Sequence, residues 1–483
     1  MTSLLPVLLY LVMSLLVTRF WSARQSRRTD EDSGLYTDKA KRFFIGGAFL
    51  SGPLLALTLV ATYTSASSFI GGSGAAYKYG LGWVWLALIQ VPVALLTLGV
   101  LGSRFLAMRR HQHVTLIEWL DERFQNPYLS TFAMVSLVVG FIAMISVQFI
   151  GGARLLSGVT GISYELGLVI FVCTVLAYTL TGGFRAVVLT DALQGIVMLL
   201  GLFILLLVIL SQPQLPEKMQ LLTQQTPALF SPHSIDDFLS WPMMLSFWLL
   251  ICFGTMGLPH TVVRLLAVKD KASLKTGIIW GTIICFFMTL IPHLCGVLGR
   301  ALFPDLSVPD NIMPTLMSGL LPPLIAGTLL AAPIAAVMSS VDSMLLQSAT
   351  SIVRDGMVKV MPNLSAAKQV WLTRFVMLLI TLSACYWALS PPDMIVWINL
   401  AAFGALQAVF LWPIVAGLYW PSITGNSALA AMVSGMLSYL LLQNQTPLPY
   451  QIHPIVPALL CSLIFMLMVQ QLTCYFARKQ SVA

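Results

Sequence analysis

The stretch Ala61-Thr-Tyr-Thr-Ser-Ala-Ser-Ser68 interrupts a run of apolar residues that is otherwise fit to cross a membrane. Apolar residues 54–60 precede it, and residues 69–70 follow it. Inside a bilayer, backbone that leaves the helical pattern is tolerated only in buried protein or beside a cavity, because each unpaired peptide group costs several kcal/mol. We therefore expect a break in a spanning helix at this run, with a binding site beside it.

The composition excludes a water-soluble globular protein. Of 483 residues, 58% are hydrophobic and 9% are charged, and the mean hydropathy is +0.87. Apolar stretches of about 18 residues or more, long enough to cross a bilayer, recur along the whole chain. We predict an all-α polytopic membrane protein with about 13 transmembrane helices, near residues 3–20, 45–73, 82–103, 129–153, 162–180, 187–211, 238–258, 276–299, 318–345, 371–389, 394–419, 427–443 and 455–476.

The distribution of Lys and Arg predicts the orientation. The net charge of +8 alone would suggest a nucleic-acid partner, but 22 of the 26 basic residues, Arg185 and Arg264 among them, fall on one side when successive spans alternate. The positive-inside rule then places the N-terminus outside and the C-terminus in the cytoplasm. We expect the lipid bilayer as a partner and no nucleic acid, and no obligate protein partner is evident. The basic residues left outside are Lys78, Arg154, Lys218 and Arg300.

A second interruption lies five spans after the first, in residues 247–260, where Gly254, Gly257 and Pro259 break an apolar run. Paired breaks at corresponding positions of two halves are typical of inverted-repeat transporters, whose binding sites lie near the membrane midplane. Gly and Pro are also common in membrane helices generally. For this segment alone, both interpretations stay open.

Residues Ala336, Ser339 and Ser340 of the predicted ninth span share one helical face, because they are spaced i, i+3 and i+4. Two hydroxyls and a carbonyl are neutral oxygen ligands, and carbonyls freed near Ala61 and Thr64 would complete a shell for a small alkali cation. Serines in membrane helices also bond to the carbonyl four residues earlier or link helices, so spacing alone does not decide. The cysteines show no CxxC or Cys/His metal spacing, and no metal other than sodium is expected.

Three motifs together resemble the sodium:solute symporter family in order and spacing. They are residues 61–74 (ATYTSASSFIGGSG), residues 181–186 (TGGFRA) with Asp191 following, and residues 336–340. Longer runs resemble the pantothenate-carrying members of that family, and the resemblance covers nearly the whole chain. These runs are residues 67–83, 147–156, 183–195, 257–264, 299–310 and 408–420.

The resemblance implies a LeuT-type fold with a 5+5 inverted-repeat core, formed here by spans 2–6 and 7–11, with one helix before it and two after. The chain would then be a single membrane domain, 1–483, in a bacterial cytoplasmic (inner) membrane. Its parts would be a first span and cytoplasmic loop (1–42), a first repeat (43–211), a second repeat (238–420) and two last spans with a cytoplasmic tail (421–483).

The resemblance also implies site residues. Sodium would be bound by the carbonyls of Ala61, Thr64 and Ala336 and by the hydroxyls of Ser339 and Ser340. Asp191 would serve a second cation site or the release of sodium, or it would pair with nearby Arg185. Asp342 is an intramembrane carboxylate, which is costly unless paired or protonated. It would face the cytoplasmic vestibule, or take part in proton or second-sodium binding.

The implied substrate site lies beside the first break. Pantothenate has a carboxylate, two hydroxyls and an amide, which Ser, Thr and Gln side chains suit, and a half-helix N-terminus would favour the carboxylate. Arg154 is either a carboxylate partner or an arginine that extends to the outer interface. The predicted substrate-binding residues are Tyr63, Ser68, Gln90, Gln148, Arg154 and Thr255.

We therefore expect sodium-coupled symport by alternating access, with no catalytic residue and no cofactor other than the coupling ion sodium. One alternative is a sodium symporter for proline, a monocarboxylate or a sugar. Others are a membrane sensor of the same fold and a passive channel. An intramembrane hydrolase would need His and acidic residues that converge, whereas the six His residues are scattered along the chain.

Overall fold

The computed structural model describes residues 3–28, 44, 49–108, 113–180, 183–443, 445 and 448–482. This part of the chain is helical, and its one recorded β-bridge joins Leu50 to Val268. The main helices are α1 (Leu4–Arg28), α2 (Gly52–Tyr63 and Ser67–Tyr79), α3 (Leu81–Ala107), α4 (Pro127–Thr160), α5 (Tyr164–Thr179), α6 (Phe184–Leu210), α7 (Trp241–Gly257 and Pro259–Ala267), α8 (Lys271–Leu302), α9 (Pro323–Val360), α10 (Ala366–Ala388), α11 (Ile395–Tyr419), α12 (Gly425–Gln443) and α13 (Ile455–Val482).

Within the described residues, nine of these helices are long and apolar enough to cross a membrane. The two bent pairs, α2 and α7, raise the number to eleven if each is one span, and Leu4–Phe20 and Tyr164–Thr179 are shorter apolar helices. The prediction of an all-helical membrane protein is confirmed. The predicted break in α2 is present, with a bend of 63°, and the interrupted run at residues 247–260, for which both interpretations were open, is also a bent helix, with 49° in α7.

The break in α2 follows from its polar residues. The first half ends at Tyr63, and Thr64 is extended, with φ −79° and ψ 114°. The second half begins at Ser67 with a wide π-helical turn and continues to Tyr79. Gly80 then turns the chain into α3 with φ +79°, and a Cβ there would overlap the carbonyl of Leu229. A residue other than glycine would therefore be strained at this corner.

The break in α7 has a different cause. Leu258 is extended, with φ −89° and ψ 112°, directly before Pro259, and the residue before a proline is disfavoured in helical conformation. Gly257 lets this break approach α11 closely, because a Cβ there would lie 2.8 Å from the backbone nitrogen of Leu411.

The two broken helices are enclosed by the unbroken ones. Helix α2 packs against α8, α6 and α9, and the break of α7 packs against α11. Helix α4 contacts α9 and α11, so it lies along both. The α2 break is therefore inside the bundle, between α4 and α9, rather than at a lipid-facing surface.

Candidate functional site

The α2 break leaves backbone carbonyls without helical partners. The amide of Ala66 donates to Oε1 of Gln148 at 2.8 Å, and the amide of Ser67 donates to Oγ of Ser65 at 3.2 Å. The amide of Ser68 donates to the Ser65 carbonyl at 2.9 Å. In an α-helix these amides would bond to the carbonyls of residues 62, 63 and 64. Those oxygens are consequently available to other groups.

Helix α9 presents two serines to the carbonyls around the break, and the Ser340 hydroxyl lies 3.1 Å from the freed carbonyl of Thr62. The hydroxyl of Ser339 donates to the carbonyls of Ala61 at 2.8 Å and Ala336 at 3.1 Å. The hydroxyl of Ser340 lies 3.1 Å from the Ala336 carbonyl and 3.4 Å from that of Thr64. The structure thus brings together all five residues predicted for sodium, and each is at most 3% exposed.

This cluster fits a small alkali cation chemically. All five candidate ligands are neutral oxygens, the hard ligands that such a cation accepts in broken-helix transporters. The carbonyls of Ala61 and Thr64 each receive one serine hydroxyl and retain a second lone pair, whereas the Ala336 carbonyl receives both hydroxyls. The hydroxyl protons can rotate away from the centre, so that the serine lone pairs face a cation as well.

A cavity with about 530 Å³ of empty space, open solvent included, lies beside the second half of α2. Within the described residues its lining includes no Asp, Glu, Lys or Arg. It contains three of the predicted substrate residues, Tyr63, Ser68 and Gln90. The other polar lining residues are Ser65, Ser67, His293 and Asn399, and the aromatic ones are Trp83 and Phe403.

The other three predicted substrate residues do not line this cavity. Gln148 is fully buried and holds the Ala66 amide, so it supports the break. The hydroxyl of Thr255 donates to the Cys252 carbonyl at 2.6 Å within α7. The structure therefore brings neither side chain into the cavity.

Arg154 is also placed outside the cavity, in a buried ion pair. Its guanidinium lies 2.9 Å from Oδ2 of Asp310 and also donates to the carbonyls of Pro392 and Asp393. The same Asp310 oxygen accepts the amide of Ile395, the first residue of α11, at 2.8 Å. Arg154 therefore joins α4 to the α8–α9 connection and to the start of α11.

On the other side of the α2 break, Asp191 of α6 pairs with Arg264 of α7 at 2.9 Å. The same carboxylate oxygen accepts the hydroxyls of Thr58 at 2.9 Å and Thr62 at 3.2 Å. Arg264 also donates to the hydroxyl of Ser343 at 2.8 Å. This cluster of Asp191, Arg264, Thr58, Thr62 and Ser343 is called the ionic cluster below.

Two interpretations based on the sequence need correction here. Arg264 counts among the loop cations in the orientation argument, but the structure buries its side chain to 1% exposure. Arg185 is not the partner of Asp191, because its guanidinium lies over the Phe49 ring, 5.0 Å from the centroid. One signal identifies Arg264: it is a single cation inside the apolar run 262–268, where a charge needs a buried partner.

Asp342 adjoins the ionic cluster. It is fully buried, one of its oxygens accepts the Ser343 hydroxyl at 3.3 Å, and Asp191 and Arg264 are its charged neighbours. One oxygen of each carboxylate, Oδ1 of Asp191 and Oδ2 of Asp342, has no partner among the described residues. A cavity of about 390 Å³ borders Arg264 and Ser343 and continues away from the α2 break.

The overall fold matches those of known cation-coupled transporters. A Na⁺-coupled sialic acid symporter in a substrate-bound, outward-open state matches with a TM-score of 0.80 at 18% identity, over 98% of each chain. The nucleobase-cation-symport-1 family transporter Mhp1 matches with a TM-score of 0.57 at 12% identity, over 92% of this chain and 97% of Mhp1. At these identities the likeness shows the fold, which this chain shares with those two proteins.

The family model described as the sodium:solute symporter family matches residues 43–435, and the chain belongs to this family. It is 45% identical over 467 residues to the sodium/pantothenate symporter of Escherichia coli, covering 95% of this chain and 94% of the relative. The Haemophilus influenzae sodium/pantothenate symporter is 44% identical over 431 residues, which cover 88% of this chain and 89% of that relative. An osmoregulated proline transporter of Bacillus subtilis is 28% identical over 442 residues, covering 89% of each.

The family membership confirms the resemblance noted in the sequence. The chain is a multi-pass membrane transporter rather than an enzyme, and sodium is its coupling ion.

The first prediction concerns the Asp191–Arg264 pair. Asp191→Asn or Arg264→Gln leaves one buried charge unpaired, which we expect to cost about 3–5 kcal/mol of stability. The double variant should lose less than the sum of the two single losses, because neither Asp191 nor Arg264 then leaves the other behind as a buried charge without its partner. Unfolding in detergent measures the loss of stability in each variant. The control is Arg185→Gln, which should change stability by less than about 1 kcal/mol. Additive losses would contradict the pairing.

The second prediction concerns Asp310, which lies between α8 and α9. Burial raises the pKa of its carboxyl from 3.8 to about 7, against the lowering effects of the Ile395 amide and Arg154. The folded protein therefore holds a proton between about pH 4 and 7 that the unfolded chain has released, so stability falls as pH rises through this window. At about 1.4 kcal/mol per pKa unit, the effect is at most about 4 kcal/mol.

We expect the melting midpoint of the protein in detergent to fall between pH 5 and pH 8. The fall should be smaller in Asp310→Asn, which has no proton to lose in this range. Equal pH slopes for the two proteins would show that Asp310 does not titrate in this window.

Proposed function

We propose that this chain imports pantothenate together with sodium by alternating access. One observation carries the choice of substrate: two sodium/pantothenate symporters are 44–45% identical to it over most of both lengths. The proline transporter is 28% identical over a similar span. The cavity suits this substrate, because its serine, glutamine and asparagine side chains match the hydroxyls and amide of pantothenate.

In this proposal the bundle has thirteen spans. The nine long helices, the two bent pairs and the two shorter apolar helices of the described residues supply them. Helices α2–α6 and α7–α11 are the two inverted repeats, and both begin with a broken helix, as the 5+5 arrangement requires. This repeat arrangement divides the chain into the first span and loop (1–42), the first repeat (43–211), the second repeat (238–420) and the last two spans with the tail (421–483). The charge distribution supports an outside N-terminus and a cytoplasmic C-terminus in a bacterial inner membrane.

We assign sodium to the carbonyls of Ala61, Thr64 and Ala336 and the hydroxyls of Ser339 and Ser340. The four distances between these hydroxyl and carbonyl oxygens, 2.8–3.4 Å, support the assignment. Because these ligands carry no net charge, bound sodium keeps its full positive charge at the break. The substrate is assigned to the cavity lined by Tyr63 and Ser65, the residues on either side of Thr64 in the chain.

Coupling then has an electrostatic origin. The cavity lining includes no charged side chain among the described residues, so sodium is the positive charge nearest to a substrate carboxylate placed at the break. Two unit charges about 8 Å apart attract by about 2 kcal/mol at an effective dielectric constant of about 20. Each ligand would raise the affinity of the other by roughly 30-fold, and this effect is reciprocal.

The ionic cluster is assigned to the cytoplasmic side, below the sodium site. Asp191 and Asp342 form a second cation site or a release site there, which their two unpartnered oxygens support. With one sodium per pantothenate anion, no net charge moves, and a tenfold sodium gradient supplies about 1.4 kcal/mol. A second sodium would add the same amount, plus about 2.3 kcal/mol for each 100 mV of membrane potential.

We expect labelled pantothenate uptake to require sodium and to be lost when choline or potassium replaces it. Ser339→Ala and Ser340→Ala each remove one hydroxyl ligand and should raise the sodium concentration for half-maximal uptake by about tenfold or more. Ser348→Ala is the matched control. Ser348 is a buried serine of the same helix, whose hydroxyl bonds to the Met344 carbonyl. Uptake indifferent to sodium, or unchanged in both variants, would contradict the site.

A competition panel tests the substrate. We expect excess unlabelled pantothenate to abolish the uptake of labelled pantothenate, and proline, lactate and glucose to leave it nearly unchanged, because none of them has the carboxylate, amide and hydroxyls of pantothenate together. Sodium-dependent uptake of one of these solutes, with none of pantothenate, would assign the chain to another substrate.

A further inference from the structure

Two buried polar side chains face the substrate cavity from helices other than α2. His293 is on α8 and is 2% exposed, and Asn399 is on α11 and is 3% exposed. Both line the cavity. Neither was among the substrate residues predicted from the sequence, because a single His or Asn in an apolar span has no distinctive spacing.

The orientation of the His293 ring fixes the role of each nitrogen. Nδ1 lies 2.6 Å from the carbonyl of Thr289. A carbonyl only accepts hydrogen bonds, so Nδ1 carries the proton, and Nε2 of the neutral ring is an acceptor. Nε2 lies against Gly72 of α2, where a Cβ would overlap it, and it has no hydrogen-bond partner among the described residues.

Asn399 provides a second unpaired acceptor. Its Oδ1 is buried and has no partner among the described residues. A buried acceptor without a donor is costly, so native proteins rarely leave one without a partner or a function. Nε2 of His293 and Oδ1 of Asn399 are thus two acceptors without donors on residues that line one cavity, which indicates that the cavity receives a ligand with hydrogen-bond donors.

We propose that His293 and Asn399 bind the hydroxyl and amide end of the substrate. Nε2 of His293 accepts a hydrogen bond from a hydroxyl, and Oδ1 of Asn399 accepts one from a second hydroxyl or from the amide N–H. This proposal rests on the proposed function, since it names the groups that distinguish pantothenate within the same cavity.

The position of the pair also orients the substrate. Gly72, which contacts His293, lies five residues beyond Ser67, at the far end of the π-helical segment from the break. Nε2 of the neutral His293 ring accepts hydroxyl and amide hydrogens but offers a carboxylate no donor, whereas the Asn399 amide can accept through Oδ1 and donate through Nδ2. The carboxylate end therefore lies at the break, near sodium, and the hydroxyl end lies at His293 and Asn399.

The consequence is specificity for hydroxylated substrates. A site that hydrogen-bonds a substrate hydroxyl rejects an analogue without it, because its own buried polar groups then stay unpaired. The dideoxy analogue of pantothenate keeps the carboxylate, the amide and the carbon skeleton but has neither hydroxyl. It should therefore compete for uptake at least about tenfold less well than pantothenate.

The test uses the full-length protein in proteoliposomes and measures sodium-dependent uptake of labelled pantothenate against both competitors. His293→Asn keeps a donor near the Thr289 carbonyl and removes the group at the Nε2 position. His293→Gln keeps a polar group near the Nε2 position. We expect His293→Asn to bind pantothenate about tenfold less tightly and the dideoxy analogue about as before, and His293→Gln to recover part of the preference. Asn399→Leu should also reduce the preference.

His453→Asn is the control, because His453 lies outside the cavity lining. It should keep the preference of the unaltered protein. If the unaltered protein does not transport pantothenate, the proposed function fails. If it does, but His293→Asn keeps the full preference for pantothenate over the dideoxy analogue, the inference about His293 is wrong. If His293→Asn and His293→Gln both weaken the binding of pantothenate and of the dideoxy analogue by the same factor, the inference about His293 is also wrong, and the residue has a structural role.

Discussion

The constraint on which this structure depends is that every backbone group inside a bilayer needs a partner. Helix α2 breaks at residues 64–66, and its amides there bond to Gln148 and Ser65 instead of to the preceding turn. The released carbonyls of Thr62 and Thr64 meet the hydroxyl of Ser340 on α9, and the Ser339 hydroxyl bonds to the neighbouring Ala61 carbonyl. The break is therefore stable only while α4 and α9 pack against it, and the same packing concentrates neutral oxygens at one point.

That arrangement places two ligands beside one short segment. Thr64 of α2 is a proposed sodium ligand, and its chain neighbours Tyr63 and Ser65 both line the cavity. Neither place contains a charged side chain among its described residues, so opposite charges on the two ligands would find their nearest counterpart in each other. If the Arg154 guanidinium reached the substrate carboxylate, it would supply the attracting positive charge, and sodium would not be needed for that attraction. In the structure Arg154 is paired with Asp310, which leaves the cavity uncharged.

Local rules account for the parts of the site that sequence reasoning predicted. The hydroxyl run marks the α2 break, Pro259 marks the α7 break, and the i, i+3, i+4 spacing places Ser339 and Ser340 on one face. The partners that sequence reasoning missed are distant in the chain: Arg264 is 73 residues from Asp191, and Asp310 is 156 residues from Arg154. Hydrophobic periodicity says which face of a helix is buried, but not which helix covers it. The roles of Gln148 and His293 needed the packing for the same reason.

The two sides of the break are closed by different chemistry. Above the cavity, Trp83 and Trp397 are in edge-to-face contact at 5.7 Å, and such rings can separate without exposing a charge. On the other side, the Asp191–Arg264 pair holds α6 against α7, and its separation exposes two charges that need new partners. In the proposed cycle, sodium that leaves toward Asp191 competes with Arg264 for the same carboxylate. Release of the ion and opening of that side therefore favour each other, because a carboxylate with a sodium partner holds the arginine less strongly.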